Sequence, residues 1–289
     1  MTGLYDLLVA PFVEYDFMAR ALVATLALAM GCGPVGVLLV LRRMSLVGDA
    51  MSHAILPGAA IGFLIAGLSL SAMSLGGFAA GLMVAILAGL VTRTTDQRED
   101  ASFASFYLIS LALGVMIVST RGSNVDLMHV LFGTVLAVND GALLLVTGIA
   151  TVTVLTLAVI HRPLVIECVD PGFLRAGGGG LWHLIFLVLV VLNLVGGFQA
   201  LGTLLAVGLM MLPATAARFW TRDLTSMALV ASGIAFASGW LGLAVSFHRN
   251  LPSGPAIILA AGGFYGLSLL FGVRGGLLAR FWPRRHLVG

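Results

Sequence analysis

The chain has 289 residues, of which 60% are hydrophobic and only 9% charged, and its mean hydropathy is +1.11. Soluble domains carry about 25% charged residues, so this composition excludes a soluble enzyme or a nucleic-acid binder. It describes a membrane protein with many spans and little room for a soluble domain. The formal net charge of +3 is carried against 12 acidic residues by arginine alone, since the chain contains no lysine.

In chain order, Asp6, Glu14 and Asp16 precede the first apolar run. A cleaved signal peptide favours positive charge there, so no cleaved leader is expected and the first span serves as the membrane signal. A bilayer-crossing helix needs about 20 apolar residues. Charge clusters divide the chain into nine candidate spans, at 18–41, 45–67, 71–92, 102–119, 141–160, 181–198, 200–218, 225–247 and 254–272. The spans 181–198 and 200–218 abut through Gly196-Gly197-Phe198-Gln199, and a single broken element there would leave eight. The expected fold is all-α, one transmembrane domain over residues 1–289, with 161–180 as its main polar loop. Glycine, at 37 residues, is abundant, and the pairs Gly58/Gly62, Gly77/Gly81 and Gly262/Gly266 have the spacing that lets membrane helices approach closely. Cys32, in the first span, and Cys168, in the polar loop, match no metal motif and lie too far apart to pair.

Arginine sets the orientation. With nine spans and the N-terminus outside, Arg42, Arg43, Arg93, Arg98, Arg162, Arg175, Arg218, Arg222, Arg274, Arg280, Arg284 and Arg285 fall on the cytoplasmic side, 12 of 15. Arg20, Arg121 and Arg249 fall outside. This bias puts the C-terminus in the cytoplasm.

Asp49 is the one acidic residue clearly inside a span, and His53 follows it by four residues. An intramembrane ionisable group is costly and is a functional candidate by default. The spacing sets carboxylate and imidazole on one helix face, roughly 5–6 Å apart at Cβ. Counting from Arg43 at 1.5 Å per residue, Asp49 lies ~9 Å and His53 ~15 Å into the membrane, near the midplane of a ~30 Å core. Pro57 has no N–H to give the His53 carbonyl, so a kink is expected there; interrupted helices at mid-membrane mark transport sites. A carboxylate and an imidazole aimed at one spot suit a divalent metal, and two ligands are half of a closed zinc or manganese site. A two-fold dimer with this helix at its axis would supply four. The competing reading is a structural ion pair between helices.

Other polar residues carry less. Asp126 and His129 fall on the outer side, where they would flank an outer pathway or simply sit at the surface. His161, His248 and His286 are at span ends; His183 and Asn193 would line a pathway or, the favoured reading, hydrogen-bond between helices. In the 161–180 loop, Asp170-Pro171-Gly172-Phe173-Leu174-Arg175-Ala176-Gly177 reads as a short helix capped by Asp170, started by Pro171 and stopped by Gly177. No Gly-x-x-x-x-Gly-Lys-Ser/Thr loop exists, nor is one possible without lysine, so energy for transport must come from another chain or an ion gradient.

The runs Leu41-Arg42-Arg43-Met44-Ser45 and Gly48-Asp49-Ala50-Met51-Ser52-His53-Ala54-Ile55-Leu56-Pro57-Gly58 resemble the signature of the zinc/manganese/iron permeases of ABC importers. Further matches follow in the same order: Glu99-Asp100-Ala101, the segment from Leu131 to Val138, Gly202-Thr203-Leu204-Leu205, Leu212-Pro213-Ala214-Thr215-Ala216-Ala217-Arg218 and Pro252-Ser253-Gly254-Pro255. The resemblance covers nearly the whole chain. It implies a type II importer-like permease of the bacterial cytoplasmic (inner) membrane that forms a homodimer, is driven by two copies of a separate ATPase, and receives metal from an extracytoplasmic binding protein. It implies that Asp49 and His53 form the intramembrane metal site, and that Asp170, Pro171, Phe173, Leu174 and Arg175 belong to a coupling helix docked on the ATPase. No permanent cofactor is implied; the metal is cargo and ATP binds the partner subunit. Two Asp and two His would accept zinc, manganese or iron; with His129 outside, zinc is favoured. A proton-driven secondary carrier, with Asp49 and His53 as relay, and a non-transporting membrane scaffold are the readings of other classes.

Overall fold

The structure is a computed structural model, described here for residues 3–67, 69–120, 138–170 and 180–278. Within these residues every regular element is a helix: α1 Gly3–Leu8, α2 Ala10–Glu14, α3 Asp16–Leu41, α4 Ser45–Ala54, α5 Leu56–Ala66, α6 Leu70–Thr94, α7 Glu99–Thr120, α8 Asp140–Val159, α9 His161–Val169, α10 Gly180–Leu201, α11 Thr203–Ala217, α12 Leu224–Arg249 and α13 Ser253–Phe271. Among the described residues eight spans are long and apolar enough to cross a bilayer, with α4 and α5 together forming one of them. The ninth expected span, α11, has 15 residues, about 22 Å of helix at 1.5 Å per residue.

That short helix is the second arm of a hairpin. A β-carbon on Gly197 would press on the Ala206 methyl, so α10 and α11 fold back on one another across Gly202. In a continuous helix those residues would stand about 13 Å apart. Gly202 has φ 93°, a conformation that glycine alone adopts readily, and it is buried. Gly197 also faces Leu28, at the middle of α3. The turn therefore lies at membrane depth inside the protein, where irregular backbone is tolerated because lipid does not reach it. Among the described residues the pair contributes one full-length span, giving the eight that a broken element would leave, with α11 folded back as its short arm.

The core is built around α3, most of whose residues are buried. Gly31, Gly33 and Gly36 abut Asn193 of α10, Ser232 of α12 and Met210 of α11 so closely that a methyl at any of them would collide, the close approach small residues permit between membrane helices. Gly58 and Gly62 of α5 lie against the Gly76 and Ala72 carbonyls of α6, and Gly77 and Gly81 face Ile55 and Val191. The third expected pair behaves differently: nothing described lies within 4 Å of a β-carbon on Gly262 or Gly266. Asn193 donates to Thr153 Oγ1 and to the Leu189 carbonyl, both at 2.8 Å, the hydrogen-bonding role its place in the sequence suggested.

The two ends of the bundle differ in charge. Gly36 meets Met210 and the α13 end returns to α11 through an Arg274 N–H to Phe219 carbonyl bond of 2.8 Å, so Arg42, Arg43, Arg218 and Arg274 share one end. At the other end Arg20 pairs with Asp140 at 2.9 Å, and Tyr15 packs on Phe247 near Arg249.

One expectation needs correction. The first half of the 161–180 loop is helix α9, with Pro163 tolerated in its first turn and Leu164 and Glu167 buried. Cys168 lies on this helix, half-buried and, like buried Cys32, unpaired.

Candidate metal site

The site begins at a tight joint. Only Arg42, Arg43 and Met44 separate α3 from α4. Arg43 has φ 60°, a left-handed conformation costing a non-glycine residue roughly 1–2 kcal/mol. Buried Met44 fixes the exit by donating its N–H to the Leu39 carbonyl at 2.9 Å. From there α4 enters the bundle with Val47, Gly48, Ala50, Met51 and Ser52 buried. Leu46 and Asp49 are exposed and His53, Leu56 and Ala60 partly so, at helical spacing. Among the described residues one stripe of the α4–α5 span is thus left uncovered, and the two ionisable residues are on it.

His53 Nε2 stands 3.8 Å from Asp49 Oδ1, with side chains 34% and 62% exposed. That is too long for a hydrogen bond. Two ligand atoms bound tetrahedrally at ~2.1 Å to one ion lie roughly 3.4 Å apart, so a small side-chain rotation would let both reach the same ion. Among the described residues His53 Nδ1 is buried without a hydrogen-bond partner. Among the described residues no group of three or more His, Cys, Asp or Glu side chains is placed to hold a metal. On its own the pair offers two ligand atoms, fewer than a closed zinc or manganese site takes.

The span is interrupted at Ile55, two residues before Pro57. The Ile55 N–H donates to the Met51 carbonyl at 3.2 Å and also faces that of His53, the carbonyl that Pro57 cannot serve. Helix α7 braces the break. Tyr107 stacks 6.0 Å from the His53 ring, Ser110 donates to the Ala54 carbonyl at 3.2 Å, and Gly114 lets Pro57 approach. These three, spaced by three and four, form one face of α7. Sequence reasoning missed them; their periodicity was visible, but not the partner they face.

The outer residues Asp126 and His129, with the 131–137 segment, lie outside the described residues, as do Pro171, Phe173, Leu174 and Arg175. Asp170 is described and closes α9.

A second cluster, unforeseen except for its members' positions, sits at the arginine-rich end. Arg42 Nη2 donates to Glu167 Oε2 at 2.8 Å. Glu167 Oε1 lies 2.7 Å from His183 Nδ1, and His183 Nε2 lies 3.0 Å from Glu99 Oε1. The Arg42 guanidinium lies over the Phe186 ring, 4.1 Å from its centre. The chain Arg42–Glu167–His183–Glu99 joins α3, α9, α10 and α7. Its carboxylates take opposite nitrogens of one imidazole, so they do not converge on a point as metal ligands would.

Residues 14–272 match the model of the ABC 3 transport family. The chain belongs to that family. It is 31% identical to the manganese transport system membrane protein MntC of Halalkalibacterium halodurans, over 93% of this chain and 92% of that one. It is 30% identical to the chelated iron transport system membrane protein YfeD of Yersinia pestis, over 94% and 90%. Among solved structures it resembles PsaBC from Streptococcus pneumoniae in complex with Fab, with 29% identity, a TM-score of 0.82, and 95% of this chain and 98% of that one covered. This family chain is therefore a multi-pass metal-importer permease, as its signature residues implied, and a transporter component in kind.

Proposed function

We propose that this permease carries a divalent transition metal inward at a site made by Asp49 and His53 from each of two copies. The observation that carries this is the exposed stripe of the α4–α5 span. A carboxylate 62% exposed within a span is untenable against lipid, so the stripe faces a partner or a water-filled path. A second copy across a two-fold axis supplies both, and completes a set of two oxygen and two nitrogen ligands. The zinc favoured by sequence gives way to manganese as the first cargo to test, because MntC and its like are named for manganese. Zinc and iron are the competitors, since mixed carboxylate–imidazole sites accept all three.

The N-terminus lies outside and the C-terminus in the cytoplasm of a bacterial inner membrane, in keeping with the arginine-rich end. ATP is hydrolysed by two copies of a separate chain docked on the 161–180 segment, through Asp170, Pro171, Phe173, Leu174 and Arg175, and a binding protein delivers metal at the outer side, where Asp126 and His129 flank the path. ATP binding and release shift the permease between outward- and inward-open populations. The test is manganese uptake into proteoliposomes holding the permease and its ATPase. Uptake that needs ATP and ignores a proton gradient supports the reading. Uptake driven by a proton gradient without ATP makes the pair a proton relay, and absence of any metal binding makes the chain a scaffold.

A further inference from the structure

We propose that the Arg42–Glu167 pair is the joint through which movement of the 161–180 segment reaches the metal-binding helix. This rests on the transport reading above. Glu167 is on α9, the first half of that segment, and its partner is the residue that ends α3. The link is closed to solvent, the Arg42 and Glu167 side chains being 5% and 10% exposed. Among the described residues Arg42 Nε and Nη1 are buried without hydrogen-bond partners, so Glu167 is the ionic anchor of this guanidinium.

Downstream of Arg42 there is no slack. Arg43, in its left-handed conformation, and Met44, tied back to Leu39, lead directly into α4, and Asp49 is on the second turn of that helix. A shift of α9 that drags the guanidinium must turn the joint and with it α4. Upstream, His183 and Glu99 hold the other oxygen of Glu167 to α10 and α7, and α7 carries Tyr107 against His53. One buried carboxylate is thus linked to both helices that position the site: to α4 through Arg42 and the joint, and to α7 through His183 and Glu99. A chain of hydrogen-bonded groups with discrete arrangements can carry energetic coupling, and a double-variant cycle is how that is shown.

The test uses the importer complex in proteoliposomes with Mn²⁺, comparing Arg42→Gln, Glu167→Gln, the double variant and Arg42→Lys. Expected are unchanged Mn²⁺ bound per complex, ATP hydrolysis retained, and Mn²⁺ transported per ATP lowered about tenfold in each Gln variant, within the range of coupling free energies between sites. The double variant should be no worse than either single one, and Arg42→Lys should recover part of the loss. Wild-type transport per ATP in both Gln variants overturns the proposal, as do additive losses in the double variant. Failure of all four variants to assemble also overturns it, by showing that the pair only holds the fold together. If the wild-type complex shows no ATP-dependent uptake, the transport reading fails instead.

Discussion

Two sets of ionisable residues are linked to the α3–α4 joint, one through Arg42 and one along α4, and they are built in opposite ways. Arg42, Glu167, His183 and Glu99 are mutually paired at 2.7–3.0 Å across four helices. Asp49 and His53 share one helix, stand 3.8 Å apart and open outward. Charge in a membrane protein survives either by being neutralised inside the fold or by facing water or a partner. The first set is paired within one chain and ties helices together; the second is left open, as the proposed metal site requires.

Removing a member of each set separates the two roles. Asp49→Ala or His53→Ala should lower metal uptake by on the order of 100-fold, at least what loss of an outer-shell partner of a metal site costs, with the melting temperature of the purified protein unchanged. Glu167→Ala should do the reverse to stability, leaving the Arg42 charge buried and unpaired at a cost of about 3–5 kcal/mol, read as a lower melting temperature in detergent. Glu167→Gln, whose amide oxygen still accepts from Arg42, should lose less. Away from both sets, Gly202→Ala should destabilise the buried hairpin turn by roughly 1–2 kcal/mol, because φ 93° is foreign to alanine. The smallest effect belongs to exposed Asp223. The backbone N–H of Ser226 and then its hydroxyl, both at 2.9 Å, hold this carboxyl below its ordinary value. Its folded value is depressed, so its contribution is present above the ordinary carboxylate range, near pH 4, and fades as pH falls through the lower folded value. Asp223→Asn should therefore melt slightly below wild type at neutral pH, with the difference closing in acid.

Much of this fold is legible in the sequence because hydropathy and arginine position are one-dimensional. The span expected at 18–41 is Asp16–Leu41, and that at 225–247 is Leu224–Arg249. The Asp49/His53 pair was legible for the same reason, as an anomaly in an apolar run. What was hidden depends on distant partners. Helix α9 looks like loop because Arg162 and Glu167 interrupt its apolar run; Glu167 is buried only because Arg42, 125 residues away, receives it. The Gly196-Gly197 seam marked a break, but the reversal falls at Gly202, since Gly197 is needed for contact with Ala206. Likewise Tyr107, Ser110 and Gly114 gain meaning only once α7 lies along His53 and Pro57.

The most direct test of the central claim is the metal content of the purified, detergent-solubilised permease after equilibration with Mn²⁺, measured together with its oligomeric mass. A site shared between two open halves predicts one ion per two chains, lost in either Asp49→Ala or His53→Ala. One ion per single chain, or undiminished binding in both variants, would contradict it.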